Sequence, residues 1–469
     1  MPPHASRSIA VIGGGITGLT AAWRLHRAGH RVTLFEKSGR LGGSVHSLRR
    51  DGWLIEAGPN SLQYSAPVRS VLADLGLDEK KLVAGAAAKK RFIVRGGRFQ
   101  AVPASPPAFL GTGLFGLRTK LALFAELLTR PRVRTTDLSL ADLVRSHFTQ
   151  ELVDYAINPL IAGIYAGDPE KLSVRHAFKM LWDAERSHGS LIRWMIAGAK
   201  ARKARGEGGA QGGSAGGVPP IISFPEGLGT IPAAMAAALP PAAIHLDTAV
   251  ETVIPGWPWK LIWKHDGRVV TGEFDAVALA VPAPALAGLV FGPLGERPLA
   301  LLENVPHPPV SSLFLGYRRE QVAHPLDGFG GLVPQIERRD VLGILFSSTL
   351  FPGRAPDGHV ALTVFAGGMR QPEIARLPAE RLLERIGPDL RELAGVSGEP
   401  VFMHHSFWPQ AIPQYNLGHE RFADALARLE NAHPGLFIGG NARDGISVPD
   451  CLKSGARLAQ GIEEFTVKL

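Results

Sequence analysis

The sequence predicts an α/β fold that begins with a dinucleotide-binding βαβ unit. An apolar strand at residues 9–12 is followed by a glycine-rich run at 13–18, a helix-like stretch at 19–27 and a second apolar strand at 32–36. These elements fit within about thirty residues, as a βαβ unit requires. From residue 221 onward, further apolar strand-like segments are separated by short turns, which indicates that the remainder of the chain continues an α/β architecture.

Four residues of the first unit have separate predicted roles. Gly13 permits the tight turn after the strand, Gly15 lets the backbone approach a pyrophosphate, and Gly18 lets helix and strand pack closely. Glu36, at the end of the second strand, is placed to accept hydrogen bonds from ribose hydroxyls. The helix N-terminus would face the phosphates with its free N–H groups. This pattern alone serves NAD as well as FAD.

Length and composition set the class of protein. A chain of 469 residues exceeds one compact core, so two or three domains are expected, and 45% hydrophobic with 20% charged residues indicates a folded protein. The single cysteine, Cys451, excludes an internal disulfide and fits a reducing compartment. The net charge of +9 indicates a solvated basic surface or attraction to anionic lipid or an acidic substrate. Nucleic acid is not expected as a partner, because the basic residues are dispersed.

Proline and glycine divide the rest of the chain. The apolar stretches 99–117 and 276–295 contain prolines, so no transmembrane span is predicted. The first apolar run is broken by Gly13 to Gly15, so it is interpreted as a strand of the fold and not as a signal peptide. A short helix is expected at 67–76, two strands at 89–94 and 99–103, and helical structure over 117–203 with breaks at Pro131, Pro159 and Pro169. The composition changes at 200–217, which predicts a mobile loop and a domain boundary. Ser447 suits the N-cap of a last helix with Pro449 in its first turn.

Two further signatures narrow the choice of cofactor. Arg40, Gly42 and Gly43 follow the acid directly, and a later segment reads Gly58-Pro59-Asn60-Ser61. Together with the glycine-rich turn, they resemble the flavin amine oxidase superfamily. The resemblance implies that the arginine and paired glycines lie along FAD and that the later segment borders the isoalloxazine.

Segments spread over nearly the whole chain resemble oxygen-dependent protoporphyrinogen oxidases and their relatives that oxidise coproporphyrinogen. They include residues 155–173, 328–334, 342–348, 412–419 and 439–441, in family order. The resemblance implies three parts: a discontinuous Rossmann-like FAD domain (1–88, 219–285 and 425–469), a mixed-sheet substrate domain (89–102 and 286–424), and a helical domain (103–205) that docks on one membrane leaflet. Residues 206–218 are expected to form a flexible glycine-rich loop.

The same resemblance assigns the site residues. Arg91 would hold a propionate, for which its fork suits a carboxylate. Leu332, Leu345 and Phe365 would clamp the pyrrole rings, and the backbone of Gly163 would lie against the macrocycle at the catalytic position. Without the resemblance, these would pass as a surface arginine, core residues and a helix interruption. Further cofactor contacts are expected from Val250, Trp408, Gly440, Asn441 and Val448.

The implied activity is the six-electron oxidation of protoporphyrinogen IX to protoporphyrin IX in haem synthesis, with non-covalent FAD and molecular oxygen, releasing hydrogen peroxide. Each of three cycles would pass a hydride to the flavin N5. Three alternatives stay open: coproporphyrinogen III oxidation, general amine oxidation, and a flavoprotein scaffold without turnover. No metal-ligand spacing is present. We expect a cytoplasmic protein peripherally associated with the cytoplasmic membrane, and leave open whether it is a homodimer.

Overall fold

A computed structural model describes residues 6–131, 134–204, 219–265 and 267–468. The predicted glycine-rich loop at 206–218 lies outside the described residues, as does most of the predicted boundary at 200–217.

A parallel five-stranded sheet contains the predicted βαβ unit. Its strands, in spatial order, are Ile244–His245, Arg31–Phe35, Ser8–Ile12, Ala276–Leu279 and Leu436–Ile438. The neighbouring strands of one sheet thus come from the beginning, middle and end of the sequence, which confirms that this unit is discontinuous in sequence. The helices in the core cluster on one side of the sheet are Ile16–Arg27, Ala66–Asp74, Thr230–Ala237 and Val448–Thr466.

The two longest of these helices meet at a close backbone contact. A Cβ at Gly455 would lie 2.4 Å from the carbonyl oxygen of Thr17, so only glycine permits this approach. As predicted, Ser447 caps the last helix by accepting a hydrogen bond from the Asp450 N–H, and Pro449 lies in the first turn. The helices Ile16–Arg27 and Val448–Thr466 thus pack against each other on the same side of the sheet.

The opposite side of the parallel sheet packs against a second layer. A four-stranded sheet lies there, with the order Arg268–Phe274, Trp259–His265, Val250–Ile254 and Val290–Phe291. The same core includes residues of the helices Ala283–Gly288, Ala300–Asn304 (3-10) and Glu420–Ala432.

A seven-stranded mixed sheet forms the second large unit. Its order is Phe402–Trp408, Val310–Arg318, His359–Gly367, Val341–Leu345, Gly330–Leu332, Phe92–Arg95 and Arg98–Ala101. All pairs are antiparallel except Gly330–Leu332 with Phe92–Arg95. The amphipathic helix Ala379–Ala394 covers one face through Leu382, Ile386 and Leu390. The strands predicted near 309–317 and 360–365 are confirmed. The strand predicted at 343–348 is only partly right, because the observed strand is Val341–Leu345 and a short helix, Ser347–Leu350, follows it.

The domain division stays a prediction, and two features of the structure bear on where its boundaries lie. The helix Glu420–Ala432 crosses the predicted boundary at 424/425 without interruption. The strand Val290–Phe291, placed by the prediction in the substrate domain, pairs instead with Val250–Ile254 of the FAD-domain layer. Because both elements share one apolar core with the parallel sheet, boundaries near residues 306 and 419 describe the packing better.

The region 106–204 is helical, with its own apolar core. The expected break at Pro159 is wrong, because Val153–Ile157 is a π-helical turn and Asn158–Tyr165 continues directly from it. Pro159 lies in the first turn of that last segment, where the widened turn leaves its missing N–H without cost. The helices are Pro106–Gly111, Leu117–Glu126, Leu140–His147, Gln150–Leu152, Asn158–Tyr165, Val174–Ala177, Lys179–His188 and Leu191–Ala204.

Among the described residues, every helix falls short of the length and apolar character needed to cross a bilayer.

The remaining elements are short. They comprise the hairpin Ser47–Arg50 with Trp53–Glu56, a small sheet of Leu62–Gln63, Ile221–Ser223 and Leu82–Val83, the helices Ser347–Leu350 and Pro372–Ala375, and the 3-10 turns Asp78–Lys80, Ala86–Lys89, Pro241–Ala243, Arg319–Gln321 and Gln335–Glu337.

Candidate active site

The glycine-rich turn has the geometry of a dinucleotide cradle. Gly13 has φ +107°, and a Cβ there would lie 2.5 Å from the Ala280 carbonyl oxygen. A Cβ at Gly18 would lie 1.8 Å from the oxygen of Gly13, so any side chain would push the helix off the strand. Gly15 differs, because a Cβ there would meet nothing within 4 Å. The turn and packing therefore require Gly13 and Gly18, whereas the space beside Gly15 is free for a ligand.

Glu36 lies beside this turn and already has protein partners. One carboxylate oxygen accepts a hydrogen bond from the Gly14 N–H at 2.8 Å, and the other accepts from the N–H and hydroxyl of Ser38 at 2.8 and 2.7 Å. A carboxylate accepts about four hydrogen bonds, so capacity remains for a ribose hydroxyl. The Glu36 carbonyl also accepts from the Thr248 N–H, which places the nearby Val250 strand at the same edge.

The Arg40 to Gly43 segment folds back onto the glycine-rich turn. The Gly42 N–H donates to the Gly14 carbonyl at 2.8 Å, and a Cβ on Gly43 would lie 3.2 Å from the Cα of Gly15. The Nη1 group of Arg40 is buried and has no hydrogen-bond partner in the described chain. An unpaired buried guanidinium nitrogen is unfavourable, and an anionic phosphate would satisfy it.

The Gly58 to Ser61 segment lies next to the same surface. Gly58 packs on Ser44, since a Cβ there would lie 2.0 Å from the Ser44 carbonyl oxygen. Asn60 donates from Nδ2 to the Gly58 carbonyl at 2.9 Å, and Pro59 and Ser61 on either side of it are half-buried. Trp408 donates from its indole N–H to the Ala57 carbonyl at 2.8 Å, so this tryptophan, which comes from the second sheet, abuts the segment.

The C-terminal segment contains further cofactor candidates. Gly440, with φ +100°, donates its N–H to the Ser454 hydroxyl at 2.7 Å, and a Cβ there would lie 3.6 Å from Thr17 Oγ1. Asn441 accepts a hydrogen bond through its carbonyl from the Tyr415 hydroxyl at 2.7 Å. That hydroxyl also accepts from the Gly445 N–H, and burial raises the pKa of Tyr415.

Sequence reasoning gave no role to Tyr415, whose hydroxyl bridges the Asn441 carbonyl and the Gly445 N–H. Val448, the first residue of the helix that follows, packs against the core beside Ile16–Arg27. Nothing local in the sequence links position 415 to position 441, so only a signal of long-range pairing would have found this role.

Strand register puts the three predicted clamp residues on one face of the seven-stranded sheet. Leu332 and Phe365 both pair with Gly343, from opposite sides. Leu345 lies two residues after Gly343 on the same strand, and side chains alternate along a strand. Leu332, Leu345 and Phe365 therefore all project from the face opposite the helix Ala379–Ala394, and each is half-buried.

The predicted catalytic position lies directly over this face. A Cβ on Gly163 would lie 2.4 Å from Cδ2 of Leu332, so the backbone of the helix Asn158–Tyr165 packs directly against the leucine side chain at this glycine. Arg370 holds this contact together, donating to the Val333 carbonyl and to Asn158 Oδ1, both at 3.0 Å. Burial lowers the pKa of Arg370 to about 10. Sequence reasoning missed Arg370, whose partners lie far away in the chain.

Arg91 lies at the border of the same face. It precedes the strand Phe92–Arg95, two residues before Ile93, which pairs with Leu332. More than a third of its surface is exposed, its guanidinium stacks on the Phe329 ring at 5.1 Å, and no carboxylate of the described chain pairs with it. Desolvation lowers the pKa of Arg91, but arginine remains charged at physiological pH. With respect to the residues that the structure describes, Arg91 is thus a cation without an anionic partner, and it lies beside an apolar face.

Comparison with known proteins identifies the family. The model of flavin-containing amine oxidoreductases matches residues 16–462. The chain belongs to this family. It is 32% identical to protoporphyrinogen oxidase 2 of Arabidopsis thaliana, over 97% of this chain and 93% of the relative. It is 28% identical to coproporphyrinogen III oxidase of Bacillus subtilis (strain 168), over 96% of each.

Solved structures agree with this family. A crystal structure from Exiguobacterium sp. 255-15, provisionally assigned as a protoporphyrinogen oxidase, superimposes with a TM-score of 0.81 at 25% identity, covering 99% of this chain and all of the other. A putrescine oxidase bound to putrescine shares the fold, with a TM-score of 0.67 at 18% identity, covering 98% of this chain and 99% of the other.

As a member of the family, the protein is an FAD-dependent oxidoreductase. The residues fit the cofactor: the free space at Gly15, the unpaired Nη1 of Arg40 and the remaining acceptor capacity of Glu36 meet the needs of a pyrophosphate and a ribose. Bound FAD supplies a two-electron acceptor that the side chains of the protein lack. What this chain adds is the placement of a second, apolar surface with Arg91 at its border.

Proposed function

We propose that this protein oxidises protoporphyrinogen IX to protoporphyrin IX in haem biosynthesis, with molecular oxygen as final acceptor. The observation that carries the proposal is the common sheet face of Leu332, Leu345 and Phe365, with Arg91 at its border. An apolar tetrapyrrole with propionate arms needs flat aliphatic and aromatic walls and a cation at one end. The names of the similar plant enzymes support the same substrate class.

The reaction removes six hydrogens, as six electrons and six protons, in three two-electron steps. Three molecules of oxygen would accept them and leave as three molecules of hydrogen peroxide. The chain would contribute orientation: Arg91 would bind a propionate by charge-assisted hydrogen bonds, while Leu332, Leu345 and Phe365 would exclude water from the bridge carbons. Gly163 would allow the macrocycle to lie close to the helix backbone.

Coproporphyrinogen III oxidation is the second candidate, favoured by the similarity to the Bacillus subtilis enzyme. Coproporphyrinogen carries carboxylates where protoporphyrinogen carries vinyl groups, so it would need further cations around the face. Turnover of the two porphyrinogens, measured by the fluorescence of the porphyrin formed and by peroxide release, distinguishes them. A higher kcat/KM for protoporphyrinogen supports the proposal, and a higher value for coproporphyrinogen replaces it with the second candidate.

The same assay covers the remaining alternatives. Peroxide produced from amines but from neither porphyrinogen would establish an amine oxidase. Bound FAD without turnover of any of these substrates would establish a scaffold.

We further propose that the helical region docks on one membrane leaflet at the cytoplasmic side. Leu117, Leu121, Phe124 and Leu128 recur at helical spacing and are all exposed, Leu128 by 82% and Leu117 by 72%. An exposed apolar stripe of this size is uncommon in a soluble monomer. The exposed side chain of Arg118, on the same helix, suits anionic headgroups.

Sedimentation with vesicles of anionic phospholipid tests the docking proposal. Replacing Leu121 and Leu128 with glutamine should weaken sedimentation at least tenfold, while the same change at Leu294, which is 88% exposed elsewhere, should have no effect. Equal sedimentation of all variants would overturn the proposal. A dimer of wild-type protein that the stripe variants dissociate would assign the stripe to an interface between two copies.

A further inference from the structure

A small polar chamber lies behind the Gly58 to Ser61 segment, between the hairpin that ends at Glu56 and the clamp-bearing sheet. Its volume is about 10 Å³, close to the minimum for one water. Four polar side chains line it, along with Leu54, Phe314, Leu350 and Phe351. The polar residues are Glu56, Asn60, Ser347 and Arg354.

Arg354 and Glu56 form a buried ion pair at one wall of the chamber. Their side chains are each 3% exposed, and Arg354 Nη2 lies 3.1 Å from Glu56 Oε1. Glu56 also accepts hydrogen bonds from the Ser47 hydroxyl at 2.6 Å and the Leu228 N–H at 2.9 Å. Burial raises the pKa of Glu56 and lowers that of Arg354, and each charge partly offsets the shift of the other. The carboxylate is well satisfied.

The guanidinium is only partly satisfied. Arg354 Nη2 donates to the Ser223 hydroxyl at 2.5 Å, and the group stacks on Phe351 at 5.4 Å. Its Nη1 group is buried and has no hydrogen-bond partner in the described chain. A buried charged donor without an acceptor is strongly unfavourable, so an acceptor beyond the protein atoms is expected here.

Asn60 also lines this chamber and keeps bonding capacity on its amide. Its Nδ2 donates to Gly58, which leaves Oδ1 as an acceptor. A water molecule can accept two hydrogen bonds and donate two, so one molecule can accept from the arginine Nη1 and donate to this acceptor. Ser347, hydrogen-bonded to Thr363 at 2.7 Å, connects the chamber to the clamp, because Thr363 pairs with Leu345.

We propose that Arg354 is a positioning residue that fixes the Asn60 amide through an ordered water in this chamber. The proposal rests on the proposed function for its consequence, since Asn60 belongs to the segment expected to border the flavin. With the water in place, the amide has one orientation and presents a fixed edge to the cleft. Without it, only the Nδ2 bond to the Gly58 carbonyl restrains the amide, so its orientation, and with it the polar edge of the cleft, is less well defined.

The experiment is a double-mutant cycle on the FAD-loaded enzyme. Arg354→Lys keeps the charge facing Glu56 but removes the fork that serves both ion pair and water. We expect kcat/KM for protoporphyrinogen to fall about five- to tenfold with KM little changed, the usual scale for one water-mediated hydrogen bond. In an Asn60→Ala background, the same replacement should cause no further loss, because its effect passes through Asn60.

A matched control separates this role from general damage. Arg339→Lys changes an ion pair with Asp389 and Glu392 on the helix-covered side of the same sheet, and should leave kcat/KM unchanged. The visible spectrum of bound flavin is the second readout: Arg354→Lys and Asn60→Ala should alter its band shape alike, and the double variant no more than either. Additive losses, in activity or spectrum, would overturn the proposal.

The spectrum also keeps the two proposals separate. If wild-type enzyme oxidises neither porphyrinogen, the proposed function fails, while the spectral cycle still tests the coupling of Arg354 to Asn60. If Arg354→Lys does not fold, a high-resolution crystal structure of wild-type holoenzyme decides the matter. An ordered water bonded to both Arg354 Nη1 and Asn60 Oδ1 supports the proposal, and a chamber without one overturns it.

Discussion

Gly163→Ala is the sharpest test of the clamp geometry. The new Cβ would lie 2.4 Å from Cδ2 of Leu332, whereas ordinary van der Waals contact begins near 3.4 Å. The Cδ2 methyl of Leu332 must therefore move away by at least about 1.0 Å. Alanine favours the helix by about 0.8–1 kcal/mol, while overpacking costs about 1–3 kcal/mol. The net change in folding free energy is therefore small, and the protein should fold and hold FAD.

The cost should fall on the substrate cleft. The displaced Leu332 side chain would move along the face it shares with Leu345 and Phe365, and a misplacement of about 1 Å can lower turnover by about a hundredfold. We expect kcat/KM to fall ten- to a hundredfold with flavin absorbance unchanged. Leu332→Val, which removes the offending reach, should restore much of the loss in the double variant.

Gly288→Ala is the matched control, because a Cβ at this helical glycine meets nothing within 4 Å. It should leave activity and flavin content unchanged. Full activity of Gly163→Ala, or a double variant with Leu332→Val no better than the single one, would refute the placement of this contact in the substrate cleft.

Three further predictions concern other parts of the molecule. Arg91→Ala should raise KM about ten- to a hundredfold with a smaller change in kcat, as expected for loss of a charge-assisted hydrogen bond made equally in ground and transition states; an unchanged KM in steady-state assays would remove Arg91 from the site. Gly15→Ala should fold normally, because its Cβ meets no protein atom within 4 Å, but it should bind FAD more weakly, because the methyl would occupy the space expected to hold the pyrophosphate. Gly18→Ala should fold poorly, since its Cβ would lie 1.8 Å from the Gly13 carbonyl oxygen. FAD titration measures the first effect and thermal melting the second. His419, 3% exposed, has its pKa lowered to about 4 by burial, with His176 and Arg421 adding to the effect, so its neutral form is favoured in the folded state. Because the unfolded state gains a proton below about pH 6.5, this histidine should cost about 2 kcal/mol of stability between pH 7 and pH 5. Urea unfolding of His419→Gln at both pH values should show a smaller loss than wild type, and an equal loss would contradict the assignment.

Local pattern was sufficient for the elements of the first unit. The glycine spacing and the acid at the strand end predicted a βαβ unit, and the strand Ser8–Ile12, the helix Ile16–Arg27 and the strand Arg31–Phe35 confirm it. The cap at Ser447 was equally accessible, because it depends on residues within one helical turn. Pro159 shows the limit of such reasoning, since the preceding π-helical turn absorbs the missing N–H.

The candidate site was accessible from the sequence only through family resemblance. No local feature distinguishes Leu332 or Phe365 from core residues, and their common face depends on pairing with Gly343 across two strands. Arg354 and Tyr415 were not assigned roles, because their partners lie between 26 and 298 residues away in the sequence.

The sequence by itself determined that this chain begins with a dinucleotide-binding unit, because turn, cap and strand-end chemistry act over a few residues. The resemblance of further segments to flavin-dependent enzymes then selected FAD over NAD. Only the tertiary structure decided which apolar side chains share a surface, that Gly163 rests on Leu332, and that Arg354 retains an unpaired donor beside Asn60. Those facts depend on strand register and on the docking of distant segments, which composition and periodicity do not encode.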